Sequence, residues 1–368
     1  MILTYWNFHV RFGTTLISES PSFSAVTEEF TRKKAKLLEL GEIFIPREVD
    51  MPCFASLSKA GPDSGRGAHA FGFGDSRVKL VVSKDPDARL RLARDPAGYI
   101  ILLEGKKFVG DVQILPLAAH APNQAFLNLC PECSMGCAFC SMPRPEGAGS
   151  YLSPERALRL VSVASKYPDF SAVAITSGIP GTVREANAKM AEAVKAVRGQ
   201  YPSVPIGVEA YFDGTAEISL FREAGVTEMK INIETWPEER FRKICPDRDF
   251  QATLKALERA VTVFGWGRVT SNMIVGLGET DGEVAEALDT LASMGVVPNV
   301  RGIRIGPGNS AKLEKALGKT PERVGAERLL ALGEMHRNIL ERNNLDTGNF
   351  ETMCFSCRCC DIVPMADI

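Results

Sequence analysis

Residues 124–140 read QAFLNLCPECSMGCAFC, a short apolar run that leads directly into a cluster of cysteines. The run 124–129 has the length and composition of a buried β-strand. Four of the chain's ten cysteines then fall within the eleven residues 130–140. Such tight spacing in a large chain indicates metal or redox chemistry more often than structural disulfides. The stretch therefore predicts a strand that ends in a metal-binding loop.

Strand and helix patterns alternate six times from residue 122 onward. The predicted strands cover 124–129, 172–176, 205–211, 228–233, 269–275 and 300–305. The predicted helices cover 153–166, 184–199, 215–224, 249–264, 280–294 and 321–343. Such alternation favours parallel strands joined by right-handed crossovers. The predicted fold class is α/β, with a partial, TIM-like (β/α)6 barrel over residues 119–312.

Two segments flank the predicted barrel. Residues 1–118 form a predicted α+β extension without a chemical motif, and residues 313–368 form a helix and a cysteine-rich tail. The elements predicted in the extension are a helix over 24–40, a long loop over 56–76 and strands over 77–83, 99–104 and 108–115.

Charge and hydropathy limit the partners. The 368 residues are 45% apolar with a net charge of -2 and no run of like charges, which argues against nucleic acid. No window of 18 apolar residues occurs, and His9 and Arg11 interrupt the start where a signal peptide would be apolar. We therefore expect a cytoplasmic protein that does not bind membranes. The histidines at 9, 69, 120 and 336 form no ligand pair and are predicted to be ordinary residues.

Cys133, Cys137 and Cys140 form C-x3-C-x2-C directly after the first strand, where parallel barrels carry their functional groups. Three thiolates from one loop can hold one face of a cubane iron–sulfur cluster and leave one iron open to a small molecule. The alternative is a structural zinc site that also uses Cys130. A position at the catalytic rim disfavours that alternative.

With Phe139 included, the motif resembles the C-x3-C-x-aromatic-C signature of the radical S-adenosylmethionine (SAM) enzymes, and the resemblance covers about residues 122–310. It implies a [4Fe-4S] cluster on the three cysteines and Phe139 near the adenine of SAM. MKINIET (229–235) resembles the ribose-binding segment of biotin-synthase-like members, and SNMIVGLGET (271–280) resembles the fifth-strand motif of the family. The cofactor-binding residues implied by resemblance or by strand-end position are Ser177, Glu209, Asn232, Glu234, Ile274, Gly276 and Arg304.

Two of these positions have alternatives. Arg304 either neutralises a SAM or substrate carboxylate or forms a structural ion pair. Glu209 either binds SAM or substrate or is a solvated carboxylate at the rim.

The resemblance implies that SAM binds the open iron and that one electron, from a donor such as flavodoxin or ferredoxin, cleaves it to methionine and a 5′-deoxyadenosyl radical. The radical abstracts hydrogen from a small-molecule or protein-bound substrate. The biotin and lipoyl synthase subgroup is the most similar, which implies a transferase that inserts sulfur. The alternatives are radical rearrangement or fragmentation in amino-acid or metallocofactor biosynthesis, and a non-catalytic zinc or iron–sulfur module.

The C-terminal stretch ETMCFSCRCCDIVP (351–364) holds Cys354, Cys357, Cys359 and Cys360. Four thiols so close predict a second iron–sulfur cluster or a zinc site. The alternative is a disordered, redox-inert tail. The adjacent Cys359 and Cys360 are not expected to bind the same metal.

Overall fold

The computed structural model describes residues 23–58, 60–117, 120–147 and 149–368. The expectations for the N-terminal start and for His9 lie outside these residues. The strands are β1 (Glu42–Phe44), β2 (Ser56–Leu57), β3 (Gly67–Phe73), β4 (Ser76–Ser83), β5 (Leu90–Asp95), β6 (Gly98–Leu103), β7 (Lys106–Leu115), β8 (Gln124–Asn128), β9 (Ala172–Thr176), β10 (Ile206–Glu209), β11 (Glu228–Lys230), β12 (Val269–Val275) and β13 (Val296–Gly302). The helices are α1 (Phe23–Leu40), α2 (Pro154–Ala164), α3 (Val183–Gln200), α4 (Ile218–Ala224), α5 (Glu238–Ile244), α6 (Phe250–Phe264), α7 (Asp281–Ser293), α8 (Ser310–Leu317), α9 (Ala326–Arg342) and α10 (Met353–Cys357).

The six strands β8 to β13 form one parallel sheet in chain order, so the predicted partial (β/α)6 barrel is confirmed. The helices begin where the sequence supplies capping side chains. Ser153, Thr182, Asp249 and Thr280 each accept a hydrogen bond from the first turn of the helix that follows. No helix of the described residues is long and apolar enough to cross a bilayer.

The sixth strand lies four residues earlier than predicted, at β13 instead of 300–305. Pro298 lies inside it, opposite Ser271 of β12. Proline lacks an N–H group and argues against a central strand, but β13 is an edge strand where that group is not needed. The short helices α5 and α8 were also missed, because seven or eight residues give too little periodicity to recognise.

The N-terminal sheet has the strand order β2-β3-β4-β1-β5-β6-β7, with an additional pairing of β3 with β7. The predicted loop over 56–76 is wrong over residues 67–73, which form β3. The sequence of β3 is GAHAFGF, and its glycines and alanines have weak strand preference, so the pattern does not indicate a strand. Phe71 and Phe73 of β3 are nevertheless buried. Burial between β4 and β7 compensates for the weak strand preference of its residues.

The C-terminal tail is ordered and is attached at the amino ends of the barrel strands. Glu228, the first residue of β11, accepts hydrogen bonds from the amides of Glu351 (2.9 Å) and Thr352 (3.0 Å) and from the Thr352 hydroxyl (2.6 Å). Gln124, the first residue of β8, donates to the Met353 carbonyl (2.9 Å) and accepts from the Met353 amide (2.6 Å). The structure therefore does not match the alternative of a disordered tail.

His336 of α9 gives the fold a pH dependence. Its side chain is fully buried, and burial lowers its pKa to about 3. The unfolded chain, with a histidine pKa of about 6.5, binds a proton that the folded chain excludes, so stability is lost as the pH falls below about 6.5. We expect His336→Leu to remove this loss, worth about 1.4 kcal/mol at pH 5.5. Urea unfolding of the wild type and of His336→Leu at pH 7.5 and 5.5 measures this change in the free energy of unfolding. An equal change in both proteins would contradict a neutral His336.

Candidate functional site

One cavity brings most of the predicted site residues together. Its wall includes barrel, extension and tail. The predicted residues that line it are Cys133, Cys137, Phe139, Cys140, Ser177, Glu209, Asn232, Glu234, Arg304, Cys354, Cys357, Cys359 and Cys360. Ile274 and Gly276 do not line it. Cys133 and Cys354 are 221 positions apart in the chain, yet the two cysteine clusters line the same cavity.

The cysteine loop after β8 is held by its backbone. The Cys133 amide donates to the Pro143 carbonyl (3.0 Å), and the Ala138 amide donates to the Ile244 carbonyl (2.8 Å). Cys130 is completely buried and does not line the cavity. Among the described side chains, no three of the histidine, cysteine and carboxylate groups are already gathered as a metal site. The loop thus presents three thiols to the cavity and keeps the fourth in the core.

The three thiols of the motif have different environments. A hydrogen bond with the Cys245 thiol, aided by the Arg248 guanidinium, lowers the pKa of Cys137. Burial raises the pKa of Cys140 to about 11. Thiolates are the form that binds iron. Cys137 is therefore the more readily ionised of these two thiols.

Asn232 and Glu234 follow β11 and point into the cavity beside Arg248. The Asn232 amide donates to Glu209 Oε1 (2.7 Å) and its Oδ1 accepts from the Asn272 amide (3.0 Å). Arg248 Nη1 lies 3.3 Å from Glu234 Oε1, and Nη2 donates to the Asn232 carbonyl (2.5 Å). The Arg248 Nε is buried and has no hydrogen-bond partner among the described residues.

Arg248 is a site residue that the sequence did not reveal. It lies in the loop between α5 and α6, where no strand end indicates a functional position. The segment CPDRDF (245–250) carries no pattern that separates Arg248 from a surface arginine. Only the fold shows that the side chain is buried against Tyr211, with its guanidinium carbon 4.7 Å from the ring centre.

Arg304 reaches the cavity but is already paired. Its Nη1 lies 2.6 Å from Oδ2 of Asp63, which belongs to a short 3-10 helix of the extension (Gly61–Asp63). The ion-pair alternative for Arg304 is thus the arrangement observed. The extension, in which the sequence shows no chemical motif, thus contributes Asp63 and Lys79 to the cavity wall, and His120 at the start of the barrel segment lines it as well.

Gly276 and Glu279 build the turn after β12 instead of the cavity wall. Glu279 accepts hydrogen bonds from the amides of Gly276 (2.6 Å) and Leu277 (2.8 Å) and pairs with Arg328 (3.0 Å). Gly276 has φ +98°, and a Cβ there would lie 2.7 Å from the Ile303 side chain. Glycine is therefore needed for backbone conformation and for space.

Cys354 of the tail lies next to two cations. Cys354 Sγ lies 3.3 Å from Lys230 Nζ and 3.2 Å from Arg301 Nη2. Arg301 is held by two contacts with Asp361, at 2.8 and 2.6 Å. Cys359 donates instead to the Cys357 carbonyl (3.3 Å).

The sequence profile described as the Radical SAM superfamily matches residues 127–291. Lipoyl synthase of Pyrobaculum calidifontis is 29% identical over 222 residues, which cover 56% of this chain and 74% of that protein. Lipoyl synthase of Oleidesulfovibrio alaskensis is 28% identical over 208 residues, which cover 52% of this chain and 68% of that protein. Biotin synthase of Kocuria rhizophila is 29% identical over 44% of this chain and 35% of that protein. The crystal structure of methylornithine synthase superposes with a TM-score of 0.48 and 19% identity, covering 58% of this chain and 61% of that one.

The matched segment contains the three cysteines of the motif together with Asn232 and Glu234. Enzymes of this superfamily use a [4Fe-4S] cluster and SAM. The expected resemblance to lipoyl and biotin synthases is confirmed by the relatives found. Residues 127–291 of this chain are therefore similar to the Radical SAM superfamily.

Proposed function

We propose that the chain is a radical SAM enzyme whose Cys133, Cys137 and Cys140 hold a [4Fe-4S] cluster. The observation that carries the proposal is that all three thiols face one cavity with Asn232 and Glu234, while Cys130 does not. Three thiols from one loop suit a cubane with one open iron better than a closed zinc site. When bound, the cluster and SAM supply a 5′-deoxyadenosyl radical that abstracts hydrogen from the substrate.

The residues around the motif have the chemistry to hold SAM. Asn232 and Glu234 provide amide and carboxylate groups for the ribose hydroxyls, and Phe139 provides a flat apolar surface for the adenine. Arg248 pairs with Glu234, and its Nε–H has no acceptor in the described part of the chain, so this donor suits the SAM carboxylate. Ser177 donates to the Gly178 carbonyl (2.7 Å) and so contributes mainly its oxygen as an acceptor.

The tail supports a second iron–sulfur cluster, as the similarity to sulfur-inserting synthases suggests. Cys354, Cys357 and Cys360 have C-x2-C-x2-C spacing, the spacing of ferredoxin-type ligands. Lys230 and Arg301 beside Cys354 offset the negative charge of a thiolate-bound cluster. We assign sulfur insertion as the reaction, with a one-electron donor such as flavodoxin or ferredoxin as partner in a reducing cytoplasm.

Anaerobic reconstitution tests the proposal. Protein reduced with dithionite and supplied with SAM should release 5′-deoxyadenosine and methionine. Iron and sulfide counts of about eight each per chain correspond to two cubane clusters, and about four to one. Labelled cluster sulfide recovered in a product supports sulfur insertion. Bound zinc without labile iron, together with no turnover of SAM, contradicts the whole assignment.

A further inference from the structure

One cation of the cavity wall differs from the others in the described part of the chain. Within the described residues, four cations of the cavity wall have carboxylate partners within 4 Å. The pairs are Lys230 with Glu209, Arg248 with Glu234, Arg301 with Asp361 and Arg304 with Asp63. Lys79 of β4 lines the same cavity and has no such partner in the described part of the chain. The wall therefore carries one unmatched positive charge.

Lys79 is built into the site and is not a surface lysine. The residue is only 5% exposed, and its amide donates to the Cys359 carbonyl (2.8 Å). Its Nζ lies 2.8 Å from Nε2 and 3.1 Å from Nδ1 of His120, whose ring packs on Phe126 with centroids 4.6 Å apart. The tail thus fixes the backbone of Lys79, and the segment that enters the barrel fixes its ammonium group.

His120 satisfies only part of the hydrogen-bonding capacity of Lys79. Burial, with the nearby cations Lys79 and Arg304, holds the pKa of His120 well below its usual value, so the ring is neutral. A neutral imidazole accepts one hydrogen bond, and an ammonium group has three donors. Lys79 and His120 both line the cavity, so the remaining donors of Lys79 are available to a group that binds there. A buried cation with spare donors is costly unless an anion pairs with it.

We propose that Lys79 and His120 bind the acidic group, a carboxylate or a phosphate, of a small-molecule substrate. The inference rests on the proposed function, because Cys133, Cys137 and Cys140, beside which the radical would form, line the same cavity. A protein-bound substrate whose reacting part is a neutral aliphatic chain would bring no negative charge to pair with Lys79. Within the described residues, the cavity cations in contact with the Cys354 sulfur are Lys230 and Arg301, not Lys79.

The chain has four histidines, so the signal of His120 can be resolved from the other three in a histidine-labelled protein. Full-length protein with 13Cε1-labelled histidine, reconstituted anaerobically, is titrated with acetate, inorganic phosphate, neutral acetamide and, for ionic strength, chloride. The His120 signal is assigned through its loss in His120→Gln. We expect a saturable shift of that signal with acetate or phosphate, weakened at least about tenfold in Lys79→Met and restored in Lys79→Arg. Lys84→Met, which removes an exposed lysine just after β4, is the matched control and should behave as wild type.

The outcomes separate the sources of the anion. A shift with acetate alone indicates a carboxylate substrate, and a shift with phosphate alone indicates a phosphate ester. The proposal is overturned if neither anion shifts the signal, if acetamide acts equally, or if Lys79→Met binds as well as wild type. Loss of tail iron in Lys79→Met also overturns it, because Lys79 would then serve the cluster. None of these readouts requires SAM cleavage, so failure of the radical reaction remains distinguishable.

Discussion

Replacing Cys137 with alanine should abolish SAM cleavage and remove about four iron atoms per chain. Cys133 and Cys140 would then be the two thiols of the motif left for the cluster. Cys130 cannot supply the third, because it is buried away from the cavity. Changes to residues that only support a metal ligand cost about 10- to 100-fold. Loss of the ligand itself should therefore lower 5′-deoxyadenosine formation by more than about 100-fold. Anaerobic single-turnover assays with dithionite, quantified by chromatography, measure the effect.

The matched control is Cys53→Ala, which removes a partly exposed thiol of the extension that does not line the cavity. It should retain iron and SAM cleavage near the wild-type level. Circular dichroism of all three proteins excludes unfolding as the cause. If Cys137→Ala kept its iron and cleaved SAM at the wild-type rate, the C-x3-C-x2-C motif would not be the cluster site.

The barrel and its first cluster could be predicted because their signals are local. The apolar run before Cys130 and the spacing of Cys133, Cys137 and Cys140 are each contained in a few consecutive residues. Asn232 and Glu234 could be placed because strand ends of a parallel barrel meet at one rim. Geometry then confirmed that these residues share one cavity.

The rest of the wall depends on contacts between distant segments. Lys79 lies in a strand with no unusual pattern, and its amide donates to the carbonyl of Cys359, which lies 280 positions later in the chain. Asp63 belongs to a Gly- and Ser-rich stretch that suggests only a loop, yet it pairs with Arg304. Such residues acquire a role only when extension, barrel and tail come together. No local periodicity or spacing reports that assembly.

Removal of the tail would be a poor test of the second cluster, because the tail is part of the core. Lys34 and Asp367 form an ion pair (2.6 Å) whose side chains are 0% and 2% exposed. Leaving one member of a buried pair alone costs about 3–5 kcal/mol. Truncation would also remove the buried Phe355, Ile362 and Val363 and expose the core residues that they cover. A truncated chain would thus lose iron through unfolding whether or not the tail binds metal, so single-atom changes are needed.

Serine at Cys354, Cys357 and Cys360 together should remove about four iron atoms and leave the Cys133 cluster in place. Each change replaces sulfur by oxygen at nearly constant volume, so Lys34, Asp367 and the contacts of Glu228 with Thr352 remain. Iron and sulfide counts, with electron paramagnetic resonance of the reduced protein, should show the loss of one of two signals.

Cys359→Ser provides the matched control within the same tail. Cys359 lies outside the C-x2-C-x2-C spacing, and its thiol donates to the Cys357 carbonyl, a bond that a serine hydroxyl can also make. This variant should keep both clusters. Equal iron loss in Cys359→Ser and in the triple variant would mean that the spacing does not define the ligands. Full iron retention in the triple variant, with unchanged spectra, would mean that the tail holds no cluster and that Lys230 and Arg301 stabilise Cys354 for another purpose.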